Sequence, residues 1–122
     1  MATILLVDDE PKITSLTRRV LEKEGHRVLE AADGDSCLKT LETTLPDLIL
    51  LDVMMPGEDG WEVCRKIKGD NRTKSIPVVM FTVRSSADSM DKSLTYAGAN
   101  AQLNKPFRIS ELLEVIGRFI KK

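Results

Sequence analysis

The 122-residue chain has only two cysteines and a single histidine. Cys37 and Cys64 are too few and too far apart for a disulfide framework or a zinc site, and each falls within a helical apolar pattern. Both therefore read as buried, inert thiols. His26 alone builds neither a histidine-based metal site nor a Ser-His-Asp triad, and it reads as a polar residue in a helix-to-strand turn. A surplus of one charge is also missing. Eighteen Lys and Arg oppose nineteen Asp and Glu for a net −1, without the basic excess that drives nucleic-acid or membrane-surface binding. Apolar runs such as Leu48-Ile49-Leu50-Leu51 fall far short of the roughly 20 residues a bilayer span needs. Met1-Ala2-Thr3-Ile4 lacks the basic segment of a secretory signal. No repeat, low-complexity tract or long linker marks a boundary. The expectation is one cytoplasmic domain over residues 1–122, whose 42% hydrophobic content supports a core without cross-links.

What is present is a regular alternation. Ile4-Leu5-Leu6-Val7 is a short apolar run, as expected of a strand buried on both faces. Past Asp8-Asp9, Pro11 suits a helix start, and Ile13, Leu16, Val20 and Leu21 follow at helical spacing before Gly25 stops it. Residues 27–31 read as a more exposed strand. Cys37, Leu38, Leu41 and Leu45 mark a second helix closed by Pro46. Leu48-Ile49-Leu50-Leu51 ends on Asp52, and residues 55–60 form a loop by their Pro-Gly and Asp-Gly steps. Trp61, Cys64 and Ile67 give a third helix. Pro77-Val78-Val79-Met80-Phe81 is a fourth strand ending at Thr82. Ala87, Met90, Leu94 and Ala97 form a thin fourth helical stripe, Ala101 to Leu103 a short fifth strand, and Leu112, Leu113, Ile116, Phe119 and Ile120 a closing amphipathic helix. Five strands alternating with five helices imply an α/β fold, a parallel sheet with helices on both faces.

Ligands of such sheets bind beyond the carboxyl ends of the strands. There the sequence gathers Asp8 and Asp9 after the first strand, Asp52 after the third, Thr82 after the fourth and Lys105 after the fifth. Three close carboxylates repel and call for a cation. A hard ion such as Mg²⁺ suits an all-oxygen site, and Lys105 adds a second positive charge. A carboxylate beside a metal and an ammonium meets the requirements of phosphoryl transfer to an aspartate. Each piece has an ordinary alternative: Asp8-Asp9-Glu10-Pro11 can simply be a helix N-terminus, and Lys105-Pro106 a turn. The conjunction carries the weight, since the pieces occur in order, each just past a predicted strand.

Leu5-Leu6-Val7-Asp8-Asp9-Glu10, the stretch from Leu51-Asp52-Val53-Met54-Met55-Pro56 through Asp59-Gly60, Thr82, and Gly98-Ala99 through Lys105-Pro106-Phe107 resemble the receiver domains of two-component response regulators. The resemblance spans essentially the whole chain. It implies a flavodoxin-like three-layer αβα fold with strand order 2-1-3-4-5. It also implies that Asp52 accepts a phosphoryl group from a histidine kinase or histidine phosphotransfer protein. Mg²⁺ would be held by Asp9, by Asp8 directly or through water, by Asp52 and by the backbone carbonyl of Met54. Thr82 and Lys105 would contact the phosphoryl group, and the Lys105-Pro106 peptide would be cis. Output would run through the face built by the fourth helix, fifth strand and last helix, in a monomer or a weak phosphorylation-dependent dimer. Such a module catalyses only its own phosphorylation and dephosphorylation.

Several positions depart from the family pattern. Gln102 stands where the family usually has Tyr or Phe, so the usual threonine–aromatic coupling is missing. Val83 replaces the usual Ala or Gly after the threonine, and Met54 and Arg84 occupy the variable positions flanking the site. With Met54 in place of a water-positioning polar residue, slow self-dephosphorylation is expected. No basic recognition helix follows Phe119, so output is expected through protein contacts and not through nucleic acid. A chemotaxis-type regulator of a motor, a stand-alone relay or adaptor protein, a receiver excised from a larger regulator or hybrid kinase, and a degenerate receiver acting only as a binding module all fit the sequence. An aspartate-nucleophile phosphatase would need a second acid where Met54 stands. A flavin or nucleotide binder would need a Gly/Ser/Thr-rich loop where Asp8-Asp9-Glu10 stands.

Overall fold

The structure is a computed structural model and describes residues 2–54, 59–82 and 92–120. Five strands, β1 (Thr3–Val7), β2 (Arg27–Ala31), β3 (Leu48–Asp52), β4 (Val78–Thr82) and β5 (Ala101–Asn104), form one parallel sheet in the order β2-β1-β3-β4-β5. Among the described residues, four α-helices connect or follow them: α1 (Pro11–Lys23), α2 (Gly34–Thr43), α3 (Gly60–Gly69) and α4 (Ile109–Phe119). A π-helical turn (Lys92–Tyr96) precedes β5.

The continuous apolar runs have a simple cause. Successive residues of a strand face opposite sides of the sheet, and here both sides are covered. Leu5, Val7, Ile49, Leu51, Val78 and Met80 pack with Cys37, Leu41, Trp61, Cys64 and Ile67 of α2 and α3. Their neighbours Ile4, Leu6, Leu48, Leu50, Val79 and Phe81 pack on the other side with Leu21 of α1 and Leu112, Val115 and Ile116 of α4. The two cysteines are both buried, and burial pushes the thiols up to about 12 for Cys37 and about 11 for Cys64. At such values they stay protonated and unreactive. Among the described residues, no helix is long and apolar enough to cross a membrane.

The sheet register sets the position of the site. Val7 pairs with Leu51, Asp52 with Phe81, and Thr82 with Asn104. Residues that end neighbouring strands therefore lie level with one another at the carboxyl edge.

Three expectations need correction. The second helix ends at Thr43, and Thr44 is already extended. Leu45, expected in its apolar stripe, is 54% exposed; as the residue before Pro46 it is steered away from helical geometry. In α1 the inward arc centres on Thr17 and Leu21, four residues apart, while Leu16 lies at its rim, 43% exposed. The described end of the fourth stripe is not α-helical: the Ala97 amide donates to the Lys92 carbonyl, five residues back, at 2.9 Å. The wider winding turns Ser93 inward to full burial and leaves Leu94 39% exposed. Ala87 and Met90 of that stripe lie outside the described residues, as does most of the loop at 55–60.

Gly60 opens α3 directly against β3. A Cβ placed there would sit 2.2 Å from the Asp52 carbonyl oxygen and 2.7 Å from the Val53 Cα. Both obstacles are backbone, so neither can rotate away. Replacing Gly60 by Ala is expected to lower unfolding free energy by about 1–3 kcal/mol, measured by urea denaturation, and an unchanged midpoint would contradict this close packing.

Candidate acidic site at the carboxyl edge of the sheet

Asp8 follows β1 and is 5% exposed; Asp52 ends β3 and is 4% exposed; Asp9 lies outside at the surface. One carboxylate oxygen from each of the three lies within 4.8 Å of the others. Lys105, just past β5, reaches back with its side chain 8% exposed. Its ammonium donates to Asp8 Oδ2 at 2.8 Å and lies 3.5 Å from Asp52 Oδ2 and 4.0 Å from Glu10 Oε2. Backbone amides order the other oxygens. The Glu10 amide donates to Asp8 Oδ1 at 2.9 Å, and the Met54 amide to Asp52 Oδ1 at 3.1 Å. Thr82 is fully buried at the end of β4, and its carbonyl receives the Lys105 amide at 2.6 Å. The Lys105–Pro106 peptide is cis.

Burial pushes the Asp52 carboxyl up to about 6, from an ordinary value of 3.8, and the charge of Asp8 adds to the rise. Lys105 and the Met54 amide oppose it without cancelling it. Burial also works against the charge of Lys105, but the hydrogen bond to Asp8 and the charges of Asp8, Asp52 and Glu10 outweigh it and hold the ammonium above its ordinary value. Among the described residues, one ammonium thus faces three clustered carboxylates. The donor set is all oxygen, which fits a hard divalent cation such as Mg²⁺.

The sequence pattern of the response regulator receiver domain matches residues 4–117. The chain belongs to the receiver domain family. Over 119 residues it is 38% identical to the phosphate regulon transcriptional regulatory protein PhoB of Escherichia coli, covering 98% of this chain and 52% of that protein. The chain spans about half the length of the curated relatives it matches. Chemotaxis response regulator CheY4 of Vibrio cholerae superposes with a TM-score of 0.92 at 31% identity, covering 98% of this chain and 99% of that one. The receiver domain of a sensor histidine kinase from Pseudomonas aeruginosa, solved with a magnesium ion in its active-site cleft, superposes with a TM-score of 0.90 at 30% identity, covering 99% and 98%. Receiver domains are signalling modules that interact with histidine kinases and downstream targets, and they bind Mg²⁺ at an acidic pocket. In this chain Asp8, Asp9 and Asp52 form an acidic cluster whose spacing could hold a metal ion.

The remaining predicted positions are spread more widely. Met54 stands at the mouth of the site, 51% exposed. Gln102 is on β5, half-buried and turned toward the π-helical turn, where Ser93 donates its hydroxyl proton to Gln102 Oε1. Val83 and Arg84 lie outside the described residues. Sequence reasoning gave no role to Glu10, whose carboxylate faces Lys105, although its place beside Asp8-Asp9 was a signal. Nor did it single out Ser93 or Asn104, which carry no chemical motif.

Asp52 binds its proton more tightly in the folded chain than an ordinary aspartate does. Through this group, stability therefore rises as pH falls from about 6 toward 4, and charged Asp52 costs stability at neutral pH. In chelator, Asp52→Asn is expected to melt above the parent chain at about pH 7.5, the gap closing as the pH falls to about 4. A variant less stable than the parent at neutral pH would contradict the assigned electrostatics.

Proposed function

We propose that this receiver, spanning residues 1–122, is the phosphoacceptor of a two-component or phosphorelay system, with Asp52 as the accepting residue. The observation that carries the reading is a buried carboxylate flanked by two further acids, with a buried ammonium 3.5 Å away. A carboxylate oxygen of Asp52 attacks the phosphorus of a phosphohistidine on a kinase or phosphotransfer protein. The O–P bond forms as the P–N bond breaks, and the imidazole leaves with the electron pair. Asp52 must be ionised to attack. With its carboxyl at about 6 it is mostly so at neutral pH, and a bound cation extends that range downward.

The Met54 amide holds Asp52 Oδ1, which fixes the rotamer of the attacking group. Lys105 is already positioned to share its charge with the incoming phosphoryl oxygens, and the Thr82 hydroxyl hydrogen-bonds them once the group is attached. Asp8, Asp9, Asp52 and the Met54 carbonyl are the residues that would hold Mg²⁺, which when bound supplies positive charge against the phosphoryl oxygens. The protein acts only on itself, and its output is a change in protein contacts around β5 and the elements beside it. A cytoplasmic location, where kinase and target would meet it, completes the reading. Exposed Met54 offers no polar group to orient an attacking water, so the phosphoryl group is long-lived.

Incubation with acetyl phosphate and Mg²⁺, followed by intact mass, is expected to add one phosphoryl group to the parent chain and none to Asp52→Asn. Labelling that persists in Asp52→Asn, or none in the parent with acetyl phosphate or a phosphorylated histidine phosphotransfer protein, would overturn the reading. After donor removal the label is expected to decay over minutes or longer, and loss within seconds would contradict the role given to Met54.

A further inference from the structure

Gln102, one of the positions that depart from the family pattern, lies in a run of side-chain hydrogen bonds that the phosphoryl chemistry does not use. The Trp61 indole donates to Ser93 Oγ at 2.9 Å, Ser93 donates to Gln102 Oε1, and Gln102 Nε2 donates to Asn104 Oδ1 at 3.2 Å. Ser93 is fully buried and Trp61 is 6% exposed. A serine hydroxyl has one proton, and here it goes to Gln102 while a lone pair receives the indole. Every bond runs in the same direction, an arrangement in which hydrogen bonds polarise and strengthen one another.

Both ends of the run are anchored at functional places. Asn104 pairs in register with Thr82, and the next residue, Lys105, bonds the Thr82 carbonyl with its amide and Asp8 with its ammonium. At the other end, Trp61 follows Gly60, which packs on the Asp52 backbone. The Trp61 ring carries the Lys92 ammonium 4.5 Å from its centroid; Lys92 is also 5.7 Å from the Tyr96 ring, over which Arg65 stacks at 4.7 Å. The Tyr96 hydroxyl bonds Glu62. Lys92 and Tyr96 are exposed, and they are the first and last residues of the π-helical turn. Windings of this kind are rare and are frequently found at functional sites.

We propose that the run Trp61–Ser93–Gln102–Asn104 couples the state of the acidic site to the winding of the π-helical turn, and so to the exposed Lys92–Tyr96 surface. The inference rests on the phosphoacceptor reading above. When the phosphoryl group draws Lys105 from Asp8, the backbone at Asn104 shifts with it and the Gln102–Asn104 bond weakens. Gln102 then releases Ser93, whose burial in this winding depends on that acceptor, and the turn rewinds with Lys92 moving off Trp61. A polar relay thereby takes the place of the aromatic side chain missing at position 102.

Trp61 is the only tryptophan, so its emission reports this relay without ambiguity. Emission is read before and after addition of Mg²⁺ with beryllofluoride, for the parent chain, Ser93→Ala and Asn104→Ala. Asn104 is exposed, so that variant tests the relay even if Ser93→Ala folds poorly. The expected result is an emission change in the parent that shrinks about twofold or more in each folded variant, while labelling of Asp52 by acetyl phosphate stays at the parent level. A parent that labels but shows no emission change, or an Asn104→Ala response equal to the parent's, would overturn the coupling and leave the phosphoacceptor reading intact. Failure of the parent to label would overturn both.

Discussion

One ammonium facing two buried carboxylates is the constraint on which the rest of this structure depends. Lys105 holds Asp8 at 2.8 Å and Asp52 at 3.5 Å, with all three side chains almost out of solvent. Burying charge is costly unless it is paired, and one cation cannot balance both acids, still less the surface Asp9 beside them. The residual shows in Asp52, which burial and the Asp8 charge leave well above the ordinary aspartate range. Among the described residues the site is therefore short of positive charge, and the sheet holds its acids in place.

The sheet supplies that rigidity. Strands buried on both faces between two apolar layers fix where each ends, and the register brings those ends level. Gly60 then allows α3 to close onto Asp52 with no room to spare. Lys105 is tied to β4 through its amide as well as to the acids through its ammonium. Lys105 thereby joins the acidic cluster to the backbone of β4.

Much of this was legible from the chain alone, for physical reasons that can be named. Continuous apolar runs such as Ile4-Leu5-Leu6-Val7 report burial on two faces, and acids placed directly after them report the carboxyl edge. Strand order was not in the periodicity, which gives alternation but not neighbours; it came from the resemblance. Local pattern failed where tertiary contacts override it. Thr17 displaces Leu16 from the inward arc of α1, and Ser93 rather than Leu94 turns inward because Trp61 and Gln102, far away in sequence, satisfy its hydroxyl. No periodicity encodes partners from α3 and β5. The role of Glu10 was hidden for a similar reason, since its partner Lys105 lies at the other end of the chain.

On the proposed reading the acidic cluster takes up one divalent cation, and Asp52 must be ionised to receive it. Calorimetric titration of Mg²⁺ into the parent chain across pH tests this most directly, because ligand protonation and metal binding compete for the same oxygens. Binding to a single site at about pH 8, weakening as the pH falls through about 6 with protons released on binding, is the predicted result. No binding at the higher pH, or an affinity indifferent to pH, would contradict it.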